Sequence, residues 1–276
     1  VYNLAVEGNF DDCQGMLKAC FADQKFLQGE RRLVAVNSIN WARIMAQIVY
    51  YFYASLNLGG PDRDMAFSVP TGNFGDIFAG YLAKKMGLPV KQLIVATNQN
   101  DILHRALSTG VYSTEGVTPS ISPSMDIQVS SNFERVLFDA YGRDGAAVAQ
   151  QMDDLKSGGF TISQGALQYL REEFKSGRAS EDETSATIKA MNLKTTETLC
   201  PHSAVGVKVA QEHLGPTPMI TLATAHPAKF PDAVKEASGV SAPLPPRMAD
   251  LYERPERVTR VANDLAALQA VIKERI

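Results

Sequence analysis

The stretch MAFSVPTGNFGDIFAGYLAKKMGLPV, residues 65–90, decides the fold. Its first five residues are a short, mostly apolar run of the kind that forms a buried strand. Ile77, Phe78, Tyr81, Leu82 and Met86 fall near helical spacing, and Gly87 followed by Pro89 stops a helix. Residues 90–97 read as a second buried strand. Strand, glycine loop, helix and strand make a βαβ unit, which belongs to a parallel sheet and crosses over right-handed. The loop Pro70-Thr71-Gly72-Asn73-Phe74-Gly75-Asp76 then presents backbone N–H groups at the positive end of a helix, where anions bind. Gly72 and Gly75 allow close approach and positive φ, and Asn73 tolerates the left-handed region. Asp76 is placed to cap the helix, offering its N–H to an anion while its carboxylate turns away. The loop is neither GxGxxG nor GxxxxGK[ST], which argues against dinucleotides and nucleoside triphosphates. Two readings of the loop stand side by side: a compact anion cradle, and a tight βα turn that holds nothing.

Outward from this unit, helices and strands alternate. Residues 38–58 form a long helix with Ser38 as N-cap, ended by Gly59-Gly60-Pro61. Trp41, Tyr50, Tyr51 and Tyr53 make it apolar almost all round, so it is expected to be buried. Residues 33–36 and 219–223 read as strands, and 257–276 as one final amphipathic helix. Helices are expected near 100–107, 133–141, 146–155, 165–174, 184–192, 203–214 and 232–237. The fold class is α/β, with a parallel sheet flanked by helices and a helical insertion. The domain reading is a smaller domain over 1–58 and a large α/β domain over 59–276 with its insertion at about 110–200. The chain opens Val1-Tyr2-Asn3-Leu4-Ala5-Val6, a strand pattern without an initiator methionine or a signal peptide. The expectation is a fragment that starts inside a domain.

With 276 residues, 45% apolar and 21% charged, the composition is that of an ordinary soluble globular protein. A net charge of −3 offers no basic surface for nucleic acid. No apolar run approaches the roughly 18 residues of a membrane span. Cys13, Cys20 and Cys200 are far from metal-ligand spacing and read as reduced thiols of a cytoplasmic protein. His104, His202, His213 and His226 are scattered, so no metal site is expected.

Two further clusters are candidates. Thr224 stands at the C-terminal end of an apolar strand, where α/β proteins place ligands; the alternative is a strand-end threonine bonding its own backbone. His226 before Pro227 reads as a loop-ordering residue. With Ser38 as the N-cap, Asn37, Asn40 and Arg43 gather at the positive end of the long helix, where an arginine answers either to an anion or to a neighbouring carboxylate.

Together these segments resemble threonine synthase, a pyridoxal-phosphate enzyme of fold type II (tryptophan synthase β-like). The matching motifs are Val6-Glu7-Gly8-Asn9-Phe10-Asp11-Asp12-Cys13-Gln14, Asn37-Ser38-Ile39-Asn40, the Pro70 to Asp76 loop, and Ala96-Thr97-Asn98-Gln99-Asn100-Asp101. Ser122-Pro123-Ser124-Met125-Asp126-Ile127, Cys200-Pro201-His202-Ser203-Ala204-Val205-Gly206 and Thr224-Ala225-His226-Pro227-Ala228-Lys229-Phe230 follow. The resemblance implies that Gly72, Asn73, Phe74, Gly75 and Asp76 hold the phosphate of pyridoxal 5'-phosphate and that Thr224 faces its pyridine nitrogen. It implies O-phospho-L-homoserine as substrate and L-threonine and phosphate as products. Ser38, Asn40 and Arg43 are then candidates for the substrate side. One departure stands out: the family's Schiff-base lysine lies in a Phe-Lys-Asp motif ahead of the matched region. Here Phe174-Lys175 stands in a segment read as helix and Lys229-Phe230 is reversed, so the catalytic lysine is expected to be outside this chain and the chain alone inactive. The alternatives are another fold type II enzyme, such as a dehydratase or a tryptophan synthase β chain, and a non-catalytic relative that binds a phosphorylated metabolite.

Overall fold

The computed structural model describes every residue except Val1, Asn9, Glu30 and Ile276, and every side chain among them but those of Phe10, Asp11 and Gln14. The chain divides into two compact units, one of Val1–Ala35 with Leu244–Ile276, the other of Val36–Pro243. The boundary expected at residues 58 and 59 falls inside the second unit.

The first unit begins with β1 (Asn3–Val6) and α1 (Phe10–Ala22); Val1, also read as strand, lies outside the described residues. Residues 33–36 form no strand, and Val34 and Val36 are exposed. In the second unit α2 (Trp41–Asn57) starts later than Ser38, because Asn40 is the N-cap and its side chain accepts from the Ala42 N–H at 2.9 Å. The expectation that α2 is buried all round is corrected. Ile44, Tyr51 and Ser55 are buried, whereas Trp41, Met45, Val49, Tyr50 and Tyr53 are exposed. All-round apolarity does not say how many sides have something to pack against.

The βαβ unit forms as read: β2 (Met65–Pro70), α3 (Gly75–Lys85) and β3 (Val90–Thr97). There follow α4 (Ile102–Thr109), β4 (Val111–Ser113), α5 (Phe133–Ala140), α6 (Gly145–Lys156) and β5 (Gly159–Thr161), which pairs antiparallel with β4. Next come α7 (Gln164–Glu173), β6 (Phe174–Arg178), and α8 (Glu181–Thr195), opened by a capping box between Ser180 and Glu183. α9 (Pro201–Glu212), β7 (Met219–Thr221) and α10 (Pro231–Ser238) complete the unit. β8 (Val258–Val261) and α11 (Leu265–Arg275) belong to the first unit, where β8 runs parallel to β1.

Two further elements differ from the sequence reading. Phe174 to Arg178 is a strand rather than a helix end, and Lys175 therefore lies on a strand. Its ladder to β3, with Phe174 beside Leu93 and Thr97 beside Arg178, outweighs the charged, helix-like local sequence. The final helix starts later than expected because β-branched Val258, Thr259 and Val261 take up the ladder to β1.

The four-stranded sheet of the second unit is all parallel, in the order β6-β3-β2-β7. Side-chain alternation gives it two faces. Phe67, Val69, Leu93 and Val95 join the larger core with Tyr51, Ile77 and Tyr81. Ile94 and Ala96 join Val205 and Val209 of α9. α9 lies close to the sheet because Gly206 has no side chain: a Cβ there would meet Thr221 at 2.8 Å and Pro70 at 2.9 Å. The Ser68 hydroxyl donates to the Gly206 carbonyl at 2.7 Å, which fixes the height of α9 over β2.

Candidate functional site

The site gathers at the C-terminal ends of the parallel strands, the usual ligand position in such sheets. The chain leaves β2 at Pro70, and the Thr71 N–H donates to the Ala96 carbonyl at 2.8 Å. Gly72 follows against the turn Pro123–Met125: a Cβ on it would lie 2.6 Å from the Ser124 carbonyl oxygen. Phe74 takes the left-handed conformation at φ 60° and is the N-cap of α3, with no capping side chain. The first helical bond runs from the Phe78 N–H to the Phe74 carbonyl at 3.1 Å. The N–H groups of Gly75, Asp76 and Ile77 therefore have no helical acceptor, and among the described residues no side chain takes the place of one.

The loop is held by buried rings and side-chain hydrogen bonds. The Phe74 ring is buried edge-on against Phe133 and Phe174, at centroid distances of 5.3 and 5.4 Å. The Asn132 amide donates to the carbonyls of Asn73 and Ser38, both at 2.9 Å. The Ser131 hydroxyl donates to the Asn73 side-chain oxygen at 3.2 Å, and the Ser130 hydroxyl to the Gly72 carbonyl at 2.8 Å. The Tyr51 hydroxyl donates to the Asp76 carbonyl at 2.8 Å and stands 3.3 Å from its carboxylate. Asp76 thus does not cap α3; its carboxyl is turned towards α2, and burial pushes its pKa up to about 6. Strain at Phe74 is tolerated because its ring and the Asn73 carbonyl before it are fixed.

Gly72 and Thr224, far apart in sequence, line one cleft of about 140 Å³ with Pro70, Ser124, His202 and Lys229. Thr224 lies beyond the end of β7, exposed, and its N–H donates to the Ser203 hydroxyl at 3.2 Å. Among the described residues its own hydroxyl makes no hydrogen bond, so it does not bond its own backbone. His226 caps the turn Pro227–Lys229, its Nδ1 accepting from the Ala228 N–H at 3.2 Å.

His202 is 5% exposed, and its Nε2 accepts the Ser124 N–H at 3.2 Å. A backbone N–H only donates, so the imidazole is neutral with its proton on Nδ1. Burial first, and the Lys229 charge second, push its pKa down to about 4. Ser38, Asn40 and Arg43 line no part of the cleft; they sit at the start of α2, which meets the loop through the shared Asn132 amide. Arg43 is exposed and, among the described residues, in no ion pair. The roles of His202, Ser203 and Ser124 escape a reading of composition and spacing. A lone histidine at a helix start carries no signal until the turn it supports is placed beside it.

The arrangement offers uncapped N–H groups at the start of α3, and a cleft lined by Gly72, Thr224 and Lys229. Known proteins place it. A family model described as "Threonine synthase, C-terminal" matches residues 203–272. Threonine synthase of Pseudomonas aeruginosa is 58% identical over 99% of this chain and 59% of its own length, and that of Corynebacterium glutamicum 42% identical over 100% and 59%. A crystal structure of pyridoxal-phosphate-bound threonine synthase from Brucella melitensis superposes with a TM-score of 0.94 at 57% identity, covering 99% of this chain and 59% of that one. The yeast enzyme gives 0.87 at 39% identity, covering 99% and 59%. The chain spans about 59% of the length of these relatives, and its fold is that of the fold type II pyridoxal-phosphate enzymes. Over 99–100% of its own length the chain is similar to the C-terminal part of threonine synthases.

Proposed function

We propose that the cleft between Gly72 and Thr224 takes pyridoxal 5'-phosphate, and that the protein carrying this chain makes L-threonine and phosphate from O-phospho-L-homoserine and water in the cytoplasm. The observation that supports this most is the cleft itself: Gly72, three residues before the uncapped start of α3, and Thr224, from opposite halves of the unit, line one space. A Cβ on Gly72 would intrude on the turn opposite, so only glycine lets the loop pack against that wall of the cleft.

In this reading the N–H groups at the start of α3 bind the cofactor phosphate, helped by the helix dipole. Gly72, Asn73, Phe74, Gly75 and Asp76 form the cradle, with Phe74 acting through its backbone and its buried ring as an anchor. The Thr224 hydroxyl faces the pyridine nitrogen; unlike a carboxylate it does not hold a proton there. When bound, the cofactor supplies carbanion stabilisation, and the protein supplies position and electrostatics. Lys229 adds positive charge to a cleft that admits a phosphorylated substrate. Ser38, Asn40 and Arg43 are assigned to the substrate side. The lysine that joins the cofactor covalently is assigned to a segment other than this chain.

The experiment is a coupled assay on the complete protein with pyridoxal phosphate. Equal release of phosphate and L-threonine from O-phospho-L-homoserine is expected. Release of ammonia and an oxo acid from serine or threonine instead would replace this reading by a dehydratase. Tight binding of the phosphorylated substrate without turnover would replace it by a non-catalytic binder.

A further inference from the structure

We infer that the first turn of α9 is a bracket that sets the separation of the two ends of the cofactor cleft, with His202 and Ser203 as its positioning residues; the inference rests on the cofactor reading above. The two side chains are adjacent in sequence and reach opposite ends. His202 Nε2 accepts the Ser124 N–H at 3.2 Å. The carbonyl of that same Ser124 is the group that stands against Gly72, 2.6 Å from its missing Cβ. The phosphate end of the cleft is therefore backed by a turn that His202 holds. The Ser203 hydroxyl accepts the Thr224 N–H at 3.2 Å and contacts the Cys200 sulfur at 3.2 Å. The ring end is therefore tied to the same helical turn.

The bracket is stiff for three reasons. Cys200, His202 and Ser203 are 1%, 5% and 3% exposed. Cys200 is the N-cap of α9, its sulfur accepting the Ser203 N–H at 3.4 Å, and Pro201 pre-sets the next φ. Gly206 lets the same helix rest on Pro70, the residue before the cradle. The tautomer is fixed too. Nδ1 carries the proton and has no hydrogen-bond partner among the described residues, a cost that packing alone would avoid with an apolar side chain. The requirement is for an acceptor at Nε2.

The test is equilibrium binding of pyridoxal 5'-phosphate, and of pyridoxal without phosphate, to the complete protein and its variants. His202→Leu and His202→Met lose the acceptor for Ser124. Each is expected to weaken pyridoxal phosphate about tenfold, the scale of one buried hydrogen bond, and to leave pyridoxal unchanged. His202→Gln, whose Oε1 accepts, restores the parent affinity. Ser203→Ala is expected to weaken both ligands and to move the absorption maximum of the bound cofactor, and Ser203→Thr to restore both. Equal weakening of the two ligands by the His202 variants, or failure of Gln and Thr to rescue, would overturn the bracket and leave the cofactor reading standing. A parent protein that binds no pyridoxal phosphate overturns both.

Discussion

The carbonyl oxygen of Ser124 stands 2.6 Å from where a Cβ on Gly72 would sit. Both partners are backbone, so neither can swing aside. Gly72→Ala is expected to push the turn Pro123–Met125 off the loop, at a cost of about 1–3 kcal/mol in stability, as overpacking usually has. Affinity for pyridoxal phosphate should fall about tenfold or more. Denaturant midpoints and a binding titration check this; parent-like affinity would mean that the loop does not approach the ligand.

Asn73 offers a cleaner probe of charge. Its side-chain oxygen accepts from the Ser131 hydroxyl at 3.2 Å, a bond a carboxylate makes equally well. Asn73→Asp should therefore keep the fold and add one negative charge beside the cradle. Affinity for the cofactor phosphate is expected to drop about 10- to 100-fold at low salt and to recover partly in high salt. A salt-independent loss would point to distortion instead.

Asp76 makes stability pH-dependent. Its folded pKa is pushed up from 3.8 to about 6 by burial. A carboxyl with a raised folded pKa favours the folded state when protonated, and stability is lost as pH rises from about 4 through 6. The ionised form above that range costs up to about 3 kcal/mol. Asp76→Asn removes the charge and leaves the Tyr51 bond to the Asp76 carbonyl in place. It is expected to be more stable than the parent at pH 8, by about 1–3 kcal/mol, with no gain at pH 4. Chemical denaturation at both pH values measures it.

His202 works the other way. Its folded pKa is lowered from 6.5 to about 4. The unfolded chain binds the proton first, so its contribution to stability is complete above pH 6.5 and is lost as pH falls towards 4. His202→Gln removes this loss. The variant should gain on the parent by about 2–3 kcal/mol between pH 7 and pH 4.5, and parallel pH profiles would show that the imidazole is not kept neutral.

The βαβ unit was legible because it is local: apolar runs, a glycine loop and a helical period lie within one short stretch, and the structure reproduces its order. β6 was not, since Phe174-Lys175-Ser176-Gly177-Arg178 has no strand signal of its own and is a strand only beside β3. α2 was misread in a similar way, because Trp41 and Tyr53 face outward although nothing local separates them from Tyr51. At the site, Gly72 to Asp76 and Thr224 could be named as separate candidates; the meeting of Gly72 with Thr224 in one cleft is a property of topology, and Asn73 to Asp76 do not line that cleft. The burial of Asp76 against Tyr51 depends on a contact between elements.

The most direct measurement is a crystal structure of the complete protein with pyridoxal 5'-phosphate. The expected result is the phosphate within hydrogen-bond distance of the backbone N–H groups at the start of α3 and the pyridine nitrogen within hydrogen-bond distance of the Thr224 hydroxyl. Cofactor bound with its phosphate away from the Gly72–Gly75 loop, or its ring nitrogen paired to a carboxylate, would contradict the account.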